Sequence, residues 1–215
     1  MFAGLFLVGV SLRAAPAGWE KVDTEDGVTV YEKEAGDLVA FRGEGHITAP
    51  VGKLLYVIED LTHWKDWIEN LDKGRILEKK SPFHKVFYQT FDSPFPASDR
   101  DIVYEAKTRR DEATDKIFVE MRSVHHPKAP KTVSVRVNLK YTRYEITSLP
   151  GGRLHVVLET LSDPGGSLPG FLVNWAQREY PVKLFQGLRK QVRRPHVKLA
   201  PVPPVKKATS TGDTP

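Results

Sequence analysis

The 215-residue sequence contains no cysteine, and its longest apolar run, residues 2–12, is about eleven residues long. Without cysteine the chain can form neither a disulfide framework nor a thiolate metal site, although this absence does not choose between cellular compartments. An apolar run of that length is too short to span a bilayer as a helix. The seven histidines are scattered, and only His125 and His126 are neighbours. Because neighbouring strand residues point to opposite faces, that pair is poorly suited to hold an ion, and we predict neither a metal nor a cofactor.

A hydrophobic content of 40% in a chain of this length is enough for one well-filled core. We therefore expect a single domain that acts as a monomer. The apolar run at residues 2–12 leads into Ala15-Pro16-Ala17, a pattern typical of a secretory signal peptide cut near Ala17. We expect residues 1–17 to be a signal peptide and the protein to be periplasmic or secreted. The alternative is an N-terminal helix packed on a cytoplasmic domain.

The positive charge is concentrated at the C-terminus. Seven basic residues against one acid give residues 189–215 a formal charge of +6, whereas the whole chain carries +5. Basic side chains near a membrane attract anionic headgroups by about 1 kcal/mol each. We expect such a contact with an anionic membrane surface from four residues: Arg189, Lys190, Arg193 and Arg194. The alternatives are a solvated tail or nucleic-acid binding, but the slightly acidic remainder of the chain argues against nucleic acid.

Periodicity divides the chain into strands and helices. Apolar and polar side chains alternate in six candidate strands, at residues 75–80, 85–91, 102–109, 116–123, 132–147 and 153–161. Short turns between them indicate an antiparallel sheet with one dry face. Helical spacing occurs at residues 51–61 and 168–192, where Pro181 should kink or weaken the long helix. We predict an α+β domain over residues 18–194, with the C-terminal helix on the dry face, and a disordered, proline-rich basic tail over residues 195–215.

A corner between two strands follows the second of these candidates. Pro94 and Pro96 flank Phe95, and the triplet Asp99-Arg100-Asp101 comes just before an apolar strand. Proline fixes its own φ and holds the preceding residue in extended geometry, so the chain must leave one strand here and enter the next. A guanidinium at such a corner can bind carboxylates or backbone carbonyls. We interpret Asp99, Arg100 and Asp101 as a structural clasp.

This corner, in the run Pro-Phe-Pro-x-Ser-Asp-Arg-Asp-x-Val, resembles the central signature of START domains, a lipid-transfer family. Three further segments agree in order, namely residues 19–31, 41–50 and 163–175. The resemblance implies a helix-grip fold: a curved antiparallel sheet wrapped around a long C-terminal helix, with short helices inserted after the first strands. It also implies a cavity for one lipid, bound without chemistry and possibly transferred between membranes, with the C-terminal helix and an adjacent loop as the lid.

Inward-facing residues of the sheet and the helices are the candidates for binding this hydrophobic ligand. If the residues around Val135 face the helix, alternation predicts the inward residues Phe87, Gln89, Phe91, Tyr104, Ala106, Val119, Met121 and Val135. Aromatic residues of the helical segments complete the predicted wall: Trp67, Phe171 and Trp175. Sterol-binding START domains often keep an acid and an arginine in the cavity. The corresponding positions here are Phe87 and Ala106, so the sequence departs from the sterol pattern.

Two other functions are compatible with the same fold. The wider helix-grip superfamily includes cyclases and hydrolases, but catalysis needs titratable groups that converge in the pocket. The sequence shows no nucleophile elbow, metal-ligand spacing or inward pair of carboxylates, so we predict no enzymatic activity. His63, Asp99 or Glu179 inside the pocket would favour an enzyme. The second alternative is a lipid sensor that regulates a partner, which sequence alone does not distinguish from a transfer protein.

Overall fold

The computed structural model describes residues 15–131, 134–166 and 170–205, except for the side chains of residues 170–178. Most of the predicted signal peptide and the last ten residues of the predicted tail therefore lie outside the described residues. The same holds for the side chains of Phe171 and Trp175. None of the helices in the described ranges is long and apolar enough to cross a membrane.

The chain builds strands first and places its long helix last. Strands β1 (Glu20–Glu25), β2 (Val28–Ala35) and β3 (Leu38–Thr48) precede helix α1 (Val51–Glu59) and a 3-10 helix (Leu61–Asp66). The following strands are β4 (Leu71–Ser81), β5 (His84–Phe91), β6 (Arg100–Arg110), β7 (Ile117–Ser123), β8 (Val135–Arg136), β9 (Asn138–Leu149) and β10 (Arg153–Asp163). A short 3-10 turn (Pro150–Gly152) joins the last two strands, and helix α2 (Gly170–Gln191) follows β10.

The described strands form one curved sheet in the order β1-β2-β3-β10-β9-β7-β6-β5-β4. All neighbours in this order are antiparallel, and β8 adds a short parallel pairing to β6. The predicted α+β architecture, a large antiparallel sheet around a long C-terminal helix, is confirmed.

Helix α2 is held most closely by β2 and β3. Its side chains Phe185 and Leu188 are fully buried in the core. Gly43 and Gly45 of β3 lie beneath Phe185, and a Cβ atom built on them would come within 3.2 and 3.1 Å of the Phe185 ring. The missing side chains therefore allow the helix to approach the sheet. The helix continues through Pro181, which packs against Gly43 instead of ending the helix.

Two segments differ from the predictions. The single strand predicted at residues 132–147 is divided into β8 and β9, because β8 pairs with β6 while β9 pairs with β7 and β10. The predicted disordered tail is also wrong in its first part. Residues 195–203, here called the C-terminal strap, pack against α1: Val197 is only 5% exposed, and the Ala200 amide donates to the Gly52 carbonyl at 3.0 Å. Apolar side chains among the prolines allow this burial.

Candidate functional site

A cavity of about 360 Å³ lies between the inner face of the sheet, the 3-10 helix and α2. Its described lining residues are mostly apolar or aromatic: Phe41, Ile58, Trp64, Trp67, Ile68, Gln89, Phe91, Arg100, Ile102, Tyr104, Met121, Val137, Leu139, Thr142, Tyr144, Thr160, Ser162, Tyr180 and Leu184. This volume lies in the lower part of the range of small-molecule sites, about 300–1,000 Å³. The cavity therefore suits a compact hydrophobic ligand.

A larger groove, of about 510 Å³, lies elsewhere on the sheet and is lined by charged side chains. These charges already bind one another, since Lys116 donates to Glu145 at 2.5 Å and the His155 ring lies 2.8 Å from a Glu44 carboxylate oxygen. Such a groove offers less apolar surface to a ligand than the cavity under α2 does. The cavity under α2 is therefore the stronger candidate site.

The strand register brings the lining residues of the sheet together. Ala106 lies opposite Met121, Met121 opposite Thr142, and Thr142 opposite Thr160. Side chains of paired residues point to the same face, so one inward row crosses the sheet from β6 to β10. The Thr142 and Thr160 hydroxyls are 2.8 Å apart in this row.

A β-bulge changes the alternation beside the cavity. In the pairing of β9 with β10, Tyr141 lies opposite Leu161 and Leu139 opposite Ser162, so β9 has one extra residue. A bulge re-aims the side chains that follow it. As a result both Leu139 and Thr142 line the cavity, although strict alternation would place them on opposite faces.

Five of the predicted ligand-binding residues line the cavity: Trp67, Gln89, Phe91, Tyr104 and Met121. Phe87, Ala106 and Val119 are buried in the core but are not among the described lining residues. Phe87, for example, lies between the rings of Trp64 and Tyr104, at centroid distances of 5.4 Å to each.

Val135 is placed differently from the prediction. Its side chain packs against the turn at Gly165 and Gly166, and a Cβ atom on Gly165 would lie 2.8 Å from Val135 Cγ1. The displacement of β8 onto β6 causes this change, because Val135 now pairs with Arg100 instead of continuing β9. Phe171 and Trp175 lie outside the side chains that the structure describes.

Arg100 is a cavity residue that sequence reasoning assigned only to the clasp. It is 7% exposed, and its guanidinium donates to the carbonyl of Ser98, and more weakly, at 3.5 Å, to the carbonyl of Gly165. Its Nε is buried and has no hydrogen-bond partner in the described part of the chain. The indole nitrogen of Trp67, another lining residue, is also buried without such a partner. Both groups are donors, so the cavity suits a ligand with hydrogen-bond acceptors.

The two acids of the triplet bind elsewhere. Asp99 accepts a hydrogen bond from the Ser93 amide at 3.0 Å, which closes the corner. Asp101 is fully buried and binds Arg136 at 2.5 and 3.0 Å and the Tyr88 hydroxyl at 3.1 Å. The hydrogen bond to Asp101 raises the pKa of Arg136. The salt bridge at this corner is therefore formed by Asp101 with Arg136, while Arg100 contacts carbonyls and the cavity.

Three tyrosines provide further polar groups inside the cavity. Burial raises the pKa of Tyr104, Tyr144 and Tyr180 above the ordinary tyrosine value, so all three phenols stay protonated near neutral pH. Tyr144 was missed in the sequence because the bulge obscures the parity of β9. Tyr180 was missed because the apolar stripe of the helix was taken to be interrupted near it.

The three residues that would favour an enzyme are not among the described lining residues of the cavity. His63 binds the Asp60 carboxylate at 2.7 Å, Asp99 holds the corner, and Glu179 pairs with Lys183 at 2.9 Å.

The predicted membrane-facing basic residues are of two kinds. Lys190, Arg193 and Arg194 are exposed at the end of α2. Arg189 instead donates to the carbonyls of His46 at 2.9 Å and Asp26 at 2.6 Å, and burial lowers its pKa. Its guanidinium thus ties α2 to the first strands and is already engaged within the protein.

The fold and cavity together define a helix-grip protein with an internal site for a hydrophobic ligand. The chain belongs to the START domain family, whose model matches residues 11–198. Among similar proteins, the phosphatidylcholine transfer protein of Mus musculus is 27% identical over 190 residues, which cover 85% of this chain and 87% of that protein. The ceramide transfer protein of Xenopus laevis is 27% identical over 194 residues, covering 77% of this chain but 30% of the relative.

Solved structures show the same fold. The STAR-related lipid transfer protein of Xanthomonas axonopodis, as a fragment of residues 25–204, superposes with a TM-score of 0.72 at 23% identity. The match covers 82% of this chain and 99% of that fragment. Membership of this family makes lipid binding or transfer the general function of the protein.

Proposed function

We propose that the protein binds a single lipid in the cavity under α2, as a monomer and without converting it, and carries it between membranes. The observation that carries this proposal is the combination of a mostly apolar cavity with one charged side chain, Arg100, among its described lining residues. Apolar burial gives about 25 cal/mol per Å², which retains a lipid tail against water. The Arg100 Nε and Trp67 Nε1 donors, which have no hydrogen-bond partner among the described residues, suit the oxygen atoms of a lipid head or linkage region.

The cavity chemistry favours binding over catalysis. Its titratable lining groups in the described residues are an arginine and tyrosines whose pKa is raised by burial. These tyrosines do not exchange a proton readily near neutral pH, where general acid–base catalysis works best. A non-catalytic carrier is therefore the function that this lining supports.

The cavity chemistry defines a class of lipid and not a single compound. The names of two relatives at 27% identity specify different lipids, phosphatidylcholine and ceramide. Phe87 lies in an aromatic stack and Ala106 in the core, and neither side chain has a polar group for a sterol hydroxyl. We propose a lipid with acceptor oxygens near Arg100, either phosphate or carbonyl, as the cargo.

The test uses a variant that fills the cavity and a matched variant on the opposite face of the same strand. Thr142→Trp places an indole in the cavity, whereas Arg143→Trp changes an exposed neighbour. Native mass spectrometry of protein purified from its own host, followed by organic extraction, should find one lipid on the wild type and on R143W. The T142W protein should carry less than about a tenth of that amount, since an overfilled pocket cannot bury the ligand.

Retention of lipid by a folded T142W protein would contradict this location of the site. An empty wild type would contradict the carrier function and favour a regulatory role.

The same spectra give the intact mass of the chain, which tests our proposal that it is exported after cleavage near Ala17. An uncleaved N-terminus in protein from the host would favour the cytoplasmic alternative.

A further inference from the structure

Three side chains with metal-binding groups meet where the 3-10 helix contacts the C-terminal strap. Asp60 follows α1, His63 lies in the 3-10 helix, and His196 lies in the C-terminal strap. Each offers one ligand atom, and these atoms lie within 4.8 Å of one another. The His63 ring nitrogen Nδ1 is 2.7 Å from the Asp60 carboxylate, and the His196 nitrogen Nε2 is 3.8 Å from the same oxygen.

His196 has an unsatisfied nitrogen at this point. Its Nε2 atom is buried and has no hydrogen-bond partner in the described part of the chain. The distance of 3.8 Å to Asp60 is too long for a hydrogen bond. A buried polar atom without a partner costs free energy, so a group that fits between the three side chains would be stabilising.

We propose that Asp60, His63 and His196 form a binding site for a divalent transition-metal ion of the Zn²⁺ type. Two imidazole nitrogens and one carboxylate oxygen are a common ligand set for zinc, with water in the fourth position. Imidazole ligands select zinc, copper, nickel or iron over magnesium and calcium. The sequence pointed to no such site because His196 is far along the chain from the other two residues, and the strap that carries it was expected to be disordered.

Binding requires a local rearrangement that can itself be measured. The His63 and His196 rings are stacked, with centroids 3.7 Å apart and planes inclined by 15°. The lone pair of an imidazole nitrogen lies in the plane of the ring, so two stacked rings cannot direct their nitrogens to one ion. One ring must rotate, and side-chain exposures of 32 and 33% leave room for it to do so.

The ion would connect the C-terminal strap to the wall of the cavity. Asp60 and His63 belong to the segment that also carries the lining residues Trp64 and Trp67. His196 adjoins Val197, which is buried in the core. A ligand that binds only the folded state raises its stability by mass action, so the metal should stabilise the strap and the 3-10 helix together.

The experiment is titration of the metal-stripped full chain with ZnCl₂, followed by calorimetry and thermal melting. We expect one ion per chain and a rise in the melting temperature. Asp60→Asn, His63→Gln and His196→Gln should each weaken binding by about tenfold or more, because each removes one of three ligands. His125→Gln, at an exposed histidine away from the cluster, should bind zinc as the wild type does.

Imidazole NMR signals of the wild-type protein provide a second readout, which does not require any variant to fold. Zinc should shift the ring resonances of His63 and His196 together and leave those of His125 unchanged. The proposal is overturned if zinc fails to saturate at one ion per chain. It is equally overturned if the folded H196Q protein binds zinc as tightly as H125Q, since the ion would then occupy other histidines.

Discussion

Glu105 is a buried carboxylate on the face of β6 opposite to Tyr104 and the cavity. Arg122 donates to it at 2.6 Å and Lys107 at 3.2 Å, and the His84 ring nitrogen lies 2.9 Å from its second oxygen. Burial alone would raise the pKa of Glu105, but hydrogen bonds from Arg122, His84 and Lys107 lower it to about 2. This residue therefore joins β5, β6 and β7 through one negative charge.

The lowered pKa predicts a specific dependence of stability on pH. Because the pKa of Glu105 in the folded protein is below the ordinary value of 4.5, its contribution is complete above pH 4.5 and is lost as the pH falls towards 2. Glu105→Gln should reduce the free energy of unfolding by about 2 kcal/mol at pH 7, as expected for hydrogen bonds to a charged group. The difference from the wild type should shrink as the pH falls below 4.5.

Urea denaturation of both proteins from pH 7 to pH 3 measures this difference. Glu120→Gln is the matched control, because Glu120 pairs with Arg109 and Arg143 on a more exposed part of the sheet. Surface pairs contribute about 0–1 kcal/mol, so E120Q should change little at any pH. A constant difference between E105Q and the wild type over the whole range would show that the carboxylate is not specially stabilised.

At the scale of elements, the described side chains of α2 form two groups, those that fix its C-terminal half and those that face the cavity. Its C-terminal half is fixed by Phe185 and Leu188 against β3 and by the three carbonyls that Arg189 contacts. Tyr180 and Leu184, nearer its middle, face the cavity. The cavity-facing residues of α2 therefore precede the residues that anchor the helix to the first strands.

Arg189 and Lys190 allow a direct comparison of a structural and a solvent-facing basic residue. Arg189→Gln should lower the free energy of unfolding by about 1–2 kcal/mol, since it removes hydrogen bonds to three carbonyls. Lys190→Gln, on the exposed side, should change it by less than about 0.5 kcal/mol. Chemical denaturation of the two variants measures both. Equal stabilities would mean that Arg189 is free to contact a membrane, as the sequence first suggested.

Strand alternation in the sequence predicted much of the sheet and part of the site. It succeeded in the strands that keep regular pairing and failed in those that do not. Gln89, Tyr104 and Met121 could be assigned to the inner face because β5, β6 and β7 keep strict alternation. Thr142 could not be, because the bulge in β9 depends on its pairing with β10. Val135 could not be placed either, since the ion pair of Arg136 with Asp101 joins parts of the chain that no local pattern connects.

Contacts between segments that are distant in the sequence could not be predicted from local patterns either. The composition of the C-terminal strap, rich in proline, is that of a disordered tail, and its burial depends on the surface that α1 presents to it. Proline-containing segments are stable when a groove accepts their apolar side chains, and sequence does not show the groove. The role of Arg100 in the cavity was hidden for a similar reason, because the carbonyl of Gly165 reaches it from beyond β10.

At the scale of the whole molecule, the most exposed large apolar side chain and the basic residues near the end of α2 belong to different segments. Phe95, at the tip of the corner that follows β5, is 94% exposed, and the same corner leads to the lining residues Phe91 and Arg100. The basic residues Lys190, Arg193 and Arg194 lie at the end of α2, which is held firmly against the first strands. If the cavity exchanges lipid with a membrane, we expect the Phe95 side chain to enter the membrane interface, because its corner adjoins the cavity. Lys190, Arg193 and Arg194 would then add electrostatic attraction to anionic lipids.

These two contributions predict different effects on lipid transfer between vesicles. Burying a phenylalanine side chain gains about 1.5–3 kcal/mol, so Phe95→Ala should reduce membrane association about tenfold or more on both neutral and anionic vesicles. Phe95→Trp should retain membrane association, since an indole also partitions into the interface.

Replacing Lys190, Arg193 and Arg194 by Gln should slow transfer only to anionic vesicles and only at low salt, because screening by salt removes the electrostatic attraction. Fluorescent lipid transfer and vesicle sedimentation measure both effects. Equal transfer by F95A and the wild type on neutral vesicles would place the lipid exit away from the corner, and the anchored end of α2 would then have to open instead.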